Sequence, residues 1–346
     1  MTYSNIGHTV FSAAFAAVLG ITTAPALAQE KVTLKFADWM PVSHYTVANA
    51  AEPFMEKVKE LSGGSIDIQF FPGGQLGKGQ DALRLVQTGV ADIADISPAY
   101  ISDKFVLSSV AELPAMFDTA CEGTAAFAEL ATGEGIIAEN EFKPYDVRIL
   151  VSIAYAPYKI LTVAKKVETV NDFKGLKIRT AGGAMDMTAN ALEAVSVRMP
   201  GPDILASMSR GTLDGSFAPL QSVKVFDLQT VLKHQTTDVS LGSFITVYAI
   251  SNRAWNSLSD DQRSALTEAG KFATKNHCEY VDAEEPKVIK ELEGYGVEAN
   301  SMADGELAKL DNSLSTVQQQ WAEQVDGLGK PGSEVLAAFR DALNSK

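Results

Sequence analysis

The stretch 172–186, DFKGLKIRTAGGAMD, reads as a strand, a sharp glycine turn and the start of a helix. Leu176 and Ile178 fall on one face of that strand and Lys177 and Arg179 on the other, the two-residue period of an extended chain. Gly182 and Gly183 let the backbone turn, and a helix is expected over about 184–194. A strand joined to a helix in this way is the unit of α/β architecture. Arg179 ends the strand, where open α/β sheets bind ligands. Its planar fork of donors matches a carboxylate with two parallel hydrogen bonds, and the following helix N-terminus would favour an anion. The competing reading is a strand-end arginine in a surface salt bridge.

Working outward, the same alternation of elements recurs. VTLKFADW (32–39) and SIDIQFF (65–71) alternate as strands, with a helical face over 47–61 between them. Pro53 should kink that helix or delay its start. A helix over 79–88 closed by Gly89 leads to a third strand, ADIADIS (91–97). This β-α-β-α-β run argues for a mainly parallel sheet covered by helices. A helix is expected over 119–140, then strands at 148–155 and 158–164 separated by Pro157. After 172–186 come a strand near 196–199, a short helix beyond Pro202 and a strand at 213–217. SFITVYAIS (243–251) is so largely apolar that it reads as a buried central strand. Ser259 and Gln262 form a capping box that opens a long helix towards Glu293, and two polar helices close the chain around a break at 327–333.

With 346 residues the chain can form two domains, and its 29 basic against 43 acidic side chains give a formal charge of −14. Nucleic acid and anionic membrane surfaces need a basic footprint, so both are poor partners. Residues 10–21 are apolar and Ala26-Leu27-Ala28 is an A-x-A cleavage site, although no Lys or Arg precedes it. The expectation is a secretory signal over 1–28, cleaved near Ala28 and leaving an exported protein. Export permits a disulfide between the two cysteines, Cys121 and Cys278, but sequence leaves a bridge and two buried thiols equally open.

Enzyme signatures are absent from the sequence. His8, His44, His234 and His277 are scattered without metal-ligand spacing, and no G-x-S-x-G elbow exists. FPGGQLGKGQDA (71–82) mimics nucleotide motifs, but its glycine spacing fails the P-loop and reads as a tight turn. No catalytic residue, metal or cofactor is therefore expected.

Three stretches carry a family resemblance: SGGSIDIQFFPGGQLG (62–77), VNDFKGLKIRTAGG (170–183) and RGTLDGSFAP (210–219). Together they resemble the periplasmic solute-binding subunits of tripartite ATP-independent periplasmic (TRAP) transporters, of the C4-dicarboxylate-binding type. The resemblance implies an α/β clamp of two mainly parallel sheets flanked by helices, with crossing segments and a long helix spanning both domains. Domain I would hold 30–156 plus 245–285, and domain II 157–244 plus 286–346, with the ligand in the cleft between them. It implies that Arg179 grips a substrate carboxylate and that Lys159 adds a second positive charge. Trp39, with Asp38 beside it, Ser97 and Tyr100 would reach the cleft. Where relatives have Glu-Asn-Pro this chain has Phe217-Ala218-Pro219, so Phe217, Trp39 and Tyr158 would form an apolar or aromatic wall instead. The implied function is capture of a small organic acid, with a compact or partly apolar body, and delivery to membrane permease subunits. Alternatives are an amine or zwitterion held by Asp38, Asp95 and the aromatics, a sensory receptor, and an exported enzyme on a similar scaffold.

Overall fold

The strands follow the alternation of apolar residues: β1 (Val32–Ala37), β2 (Ile66–Phe71), β3 (Ile93–Ile96), β4 (Val147–Ala154), β5 (Lys159–Thr162), β6 (Lys177–Thr180), β7 (Val195–Arg198), β8 (Gly215–Ala218), β9 (His234–Thr236), β10 (Ile245–Ser251) and β11 (Glu298–Asn300). The helices are α1 (Glu52–Leu61), α2 (Ala82–Gln87), α3 (Ala120–Ala131), α4 (Ala184–Ala191), α5 (Ile204–Ser209), α6 (Ser222–Val225), α7 (Asn252–Asn256), α8 (Asp260–Gly294), α9 (Glu306–Gly327) and α10 (Gly332–Asn344). This computed structural model describes residues 1–4, 7 and 30–345. The apolar centre and cleavage site of the expected signal segment lie outside the described residues. Among the described residues no helix is long and apolar enough to cross a membrane.

From Lys31 onward the chain forms one compact unit built on two sheets. The first has strand order β2-β1-β3-β10-β4 and the second β11-β9-β5-β8-β6-β7. In the first, only β10 runs against its neighbours; in the second, only β5 does. Those two strands follow crossings between the sheets at 155–158 and 237–244. Each therefore enters its sheet from the edge where the other strands end. Every residue of β10 is buried, as its largely apolar sequence suits a strand covered on both faces.

The helices tie the sheets together. Ser259 and Gln262 exchange the expected capping-box hydrogen bonds, and α8 then runs for 35 residues, about 50 Å at 1.5 Å per residue. Leu266, Ala269 and Ala273 pack under the first sheet, whereas Leu292 belongs to the core of the second. At Gly270 an added Cβ would lie 1.9 Å from the Leu150 carbonyl, so only glycine lets α8 approach β4 this closely. Pro53 stands in the first turn of α1, after a widened turn over Val47–Ala51. The Asn49 carbonyl that proline cannot serve accepts instead from Asn276 of α8 at 2.9 Å.

Two expectations change. The helix read over 119–140 ends at Ala131, because Gly133 takes a φ of +60° and Gly135 sits where a Cβ would meet the Leu130 carbonyl at 2.3 Å. The C-terminal helices, drawn into the second half at 286, divide between the sheets. Glu306 of α9 accepts from Val170 N–H on the second-sheet side, but Trp321, Val325 and Phe339 of α9 and α10 bury with Phe117 and Phe127 on the first. Cys121 of α3 and Cys278 of α8 form a disulfide, with Cα atoms 4.8 Å apart.

Candidate functional site

β6 carries Arg179 between β8 and β7, in register with Ser216 and Val197. Its side chain is 3% exposed. Nε donates to the Met199 carbonyl at 2.9 Å and Nη1 reaches the Phe217 carbonyl at 3.5 Å. The Tyr100 phenol lies close enough to feel its charge, which pulls against the upward push that burial gives the hydroxyls of Tyr100 and Tyr158. No carboxylate among the described residues pairs with Arg179. A buried guanidinium lacking an anion bears a desolvation cost without its usual compensation.

The guanidinium lines a narrow cavity of about 30 Å³ between the two sheets. The first sheet contributes Trp39 and Met40 after β1, Tyr100 after β3, Tyr155 after β4, and Phe244 just before β10. Facing them are Tyr158 before β5, Arg179 on β6, Gly201 after β7, and Ala218 and Pro219 at the end of β8. Ile204, Ser222, Phe226 and Leu228 complete that side, and His44 completes the first. The topology explains this set: parallel strands offer their carboxyl ends to the cleft, and each reversed strand offers its beginning. Among the described residues, Arg179 is the one Lys or Arg side chain in the wall.

The aromatic lining is braced. Trp39 and Tyr100 meet edge-on at 5.2 Å, Tyr100 packs on Phe244 at 5.3 Å, and Phe244 on Tyr155 at 5.5 Å. The Tyr100 hydroxyl accepts from Gly201 N–H at 3.2 Å, linking the two sides. At Gly201 a Cβ would lie 2.8 Å from the Phe226 ring, so this glycine makes room for the ring.

Of the residues singled out by sequence, Arg179, Trp39, Tyr100 and Tyr158 line the cavity. Five others stand behind it. Lys159, 9% exposed, bonds the Val239 carbonyl at 3.2 Å and pairs with Glu285 of α8 at 3.4 Å. The cause is strand parity: Tyr158 turns to the cavity, so its neighbour Lys159 turns away. Phe217 is buried against Phe173, and it is its carbonyl that meets Arg179; the cavity wall begins one residue on, at Ala218. Ser97 Oγ accepts from the Trp39 indole N–H at 3.2 Å and bonds Thr246 Oγ1 at 3.2 Å, so it braces the indole.

Asp38 accepts from Met40 N–H at 2.8 Å beneath the wall, and burial pushes its carboxyl up to about 7. Asp95, which accepts from the Thr246 hydroxyl, is pushed well above the usual range by burial and by Asp38. Neither carboxylate lines the cavity, which removes the charge partners expected for an amine. The turn after Arg179 also leads elsewhere: Gly183, at the start of α4, lies against the Glu112 carboxyl, and no residue of α4 lines the cavity. Sequence reading missed His44, Tyr155, Phe226 and Phe244. Phe244 and Tyr155 flank the crossings between strands already recognised, a position that could have marked them.

Comparison with known proteins adds to this geometry. Residues 37–324 match the bacterial extracellular solute-binding protein family 7, DctP. The chain is 24% identical, over 99% of each sequence, to the C4-dicarboxylate-binding periplasmic protein DctP of Rhodobacter capsulatus. It is similar in structure to a TRAP periplasmic solute-binding protein from Bordetella bronchiseptica that holds (R)- and (S)-mandelate, with TM-score 0.82, 27% identity, and coverage of 90% of this chain and 99% of that one. A TRAP solute-binding protein from Rhodoferax ferrireducens with copurified benzoate shares the fold, with TM-score 0.83, 24% identity, and coverage of 91% and 98%.

Proposed function

The chain belongs to the bacterial extracellular solute-binding proteins of family 7, the DctP family, and from that premise we propose that it captures a small organic acid of single negative charge and flat, apolar body. It is an extracytoplasmic receptor of the TRAP type, and its relatives are solute-binding receptors. The observation that carries the ligand reading is the buried Arg179 fork, without a carboxylate partner, in an aromatic-lined cavity. One guanidinium compensates one carboxylate. A second carboxylate would be desolvated without a cation, since no other Lys or Arg among the described residues lines the wall. This separates the chain from a C4-dicarboxylate receptor and fits the mandelate bound by the structural relative.

In this reading Arg179 takes the carboxylate from the second-sheet side while Trp39, Tyr100, Tyr155 and Phe244 cover the body from the first. Contacts made from both sides stabilise the closed clamp, the two halves turning about the crossing segments and α8. Residues 1–28 direct export and are removed near Ala28, the receptor works in the periplasm, and membrane permease subunits receive the ligand.

Titration calorimetry with mandelate, benzoate and succinate tests the proposal. The expected result is binding of at least one aromatic monocarboxylate and none of succinate. Tight succinate binding, or loss of no affinity in Arg179→Met, would refute it.

A further inference from the structure

His44 lies in the cavity wall between β1 and α1, 1% exposed, stacked on Tyr45 at 4.4 Å and tilted against Phe226 at 5.8 Å. Its Nδ1 accepts the backbone N–H of Thr46 at 3.1 Å. A ring nitrogen that accepts from an N–H carries no proton, so the proton of the neutral ring sits on Nε2. Burial, helped by His277, pushes the ring down to about 3, which keeps it neutral. No hydrogen bond joins Nε2 to another described residue, and the ring lines the cavity. The neighbouring His277 differs: its Nε2 meets Thr46 Oγ1 at 3.3 Å and its Nδ1 is closed off.

A buried donor without an acceptor is costly, and a site built around one rejects ligands that leave it unpaired. Its position relative to Arg179 follows from shared neighbours. Phe226 touches both His44 and Gly201, and Gly201 donates to the Tyr100 hydroxyl beside Arg179. His44 and Arg179 therefore line the same cavity, joined through Phe226, Gly201 and Tyr100. Resting on the carboxylate assigned to Arg179, we infer that His44 determines specificity: its Nε2–H selects monocarboxylates bearing a neutral oxygen acceptor, a hydroxyl or carbonyl, on the body that the cavity covers. A neutral donor satisfies such an oxygen but does not compensate a second charge, so the acceptor is uncharged.

Calorimetric titration of the wild-type chain, His44→Phe and His44→Gln with benzoate, 3-hydroxybenzoate and 4-hydroxybenzoate tests this. The wild type should bind one hydroxybenzoate about tenfold more tightly than benzoate, the scale of a single neutral hydrogen bond. Phe keeps a ring but no donor, and should bring the hydroxybenzoate-to-benzoate affinity ratio close to one. Gln keeps an N–H and should retain part of the preference. Equal binding of all three acids by the wild type, an unchanged ratio in His44→Phe, or uniform loss of all three in folded variants overturns the inference while the Arg179 reading stands. Binding of none of the three acids by the wild type overturns the inference, and removes the Arg179 reading as well if mandelate is not bound either. Nitrogen NMR of the wild-type histidines gives an arm independent of the variants: His44 must show a neutral ring with its proton on Nε2, and any other state refutes the inference.

Discussion

Replacing Arg179 with methionine should separate binding from stability, moving them in opposite directions. The guanidinium is 3% exposed and rests on two carbonyl oxygens, one of them at 3.5 Å, with no carboxylate beside it. In the empty receptor it is a desolvated charge only partly satisfied. Methionine lacks that penalty, and replacing buried ionic groups by apolar side chains is often neutral or stabilising by up to about 4 kcal/mol. In the occupied receptor the sign reverses, because truncating one partner of a buried charge pair costs roughly 3–5 kcal/mol. At about 1.4 kcal/mol per decade, affinity for mandelate or benzoate should fall by at least a hundredfold. The assay is thermal unfolding with and without acid, joined to calorimetric titration. Arg179→Met should melt a few degrees higher than wild type when empty and show no ligand-induced rise. A variant that melts lower when empty and still gains stability from the acid would refute the reasoning.

Further perturbations follow from the same structure. Removing the Cys121–Cys278 disulfide, which closes 157 residues of chain, releases about 5 kcal/mol of unfolded-state entropy by the loop-closure estimate and typically costs about 2–5 kcal/mol. Urea unfolding of Cys121→Ser/Cys278→Ser should show that loss, and an unchanged midpoint would contradict the bridge. Lys159→Met should leave mandelate affinity unchanged but lower stability by about 1–3 kcal/mol, since Glu285 loses its cation; a collapse in affinity would return Lys159 to the site. Asp38 is raised to about 7 by burial, so below pH 4 it is protonated in both states and adds nothing. Above that the unfolded chain releases the proton first, and the contribution to stability falls until about pH 7. Asp38→Asn should therefore gain stability over wild type between pH 4 and 7, measured by urea midpoints, and a pH-independent difference would sink this assignment.

The fold was legible where burial left a simple period. β1, β2, β3 and β10 stand at the expected positions because alternating or largely apolar runs reflect one or two covered faces. β9 and β11 escaped notice: three residues at the margin of a sheet carry no measurable period. The end of α3 was misplaced because two glycines interrupt an otherwise helical composition. Strand direction was hidden as well, since β5 and β10 are reversed by long-range crossings and not by anything within their own residues.

Within the site, Arg179 could be found from its strand end and the glycines that follow. Lys159 and Phe217 were placed by position along the chain, whereas side-chain parity decides which of two adjacent residues sees the cavity. His44 gave no pattern at all: a single histidine after a turn is ordinary, and its meaning comes from the Thr46 N–H and the Phe226 ring that folding brings to it.

A crystal structure of the receptor holding a small acid, copurified or soaked, bears most directly on the assignment of Arg179. The account predicts a single carboxylate with both oxygens on the guanidinium at about 2.7–2.9 Å and its apolar body against Trp39, Tyr100 and Phe244. A guest whose charged group lies elsewhere, with Arg179 still bound only to carbonyl oxygens, would contradict it.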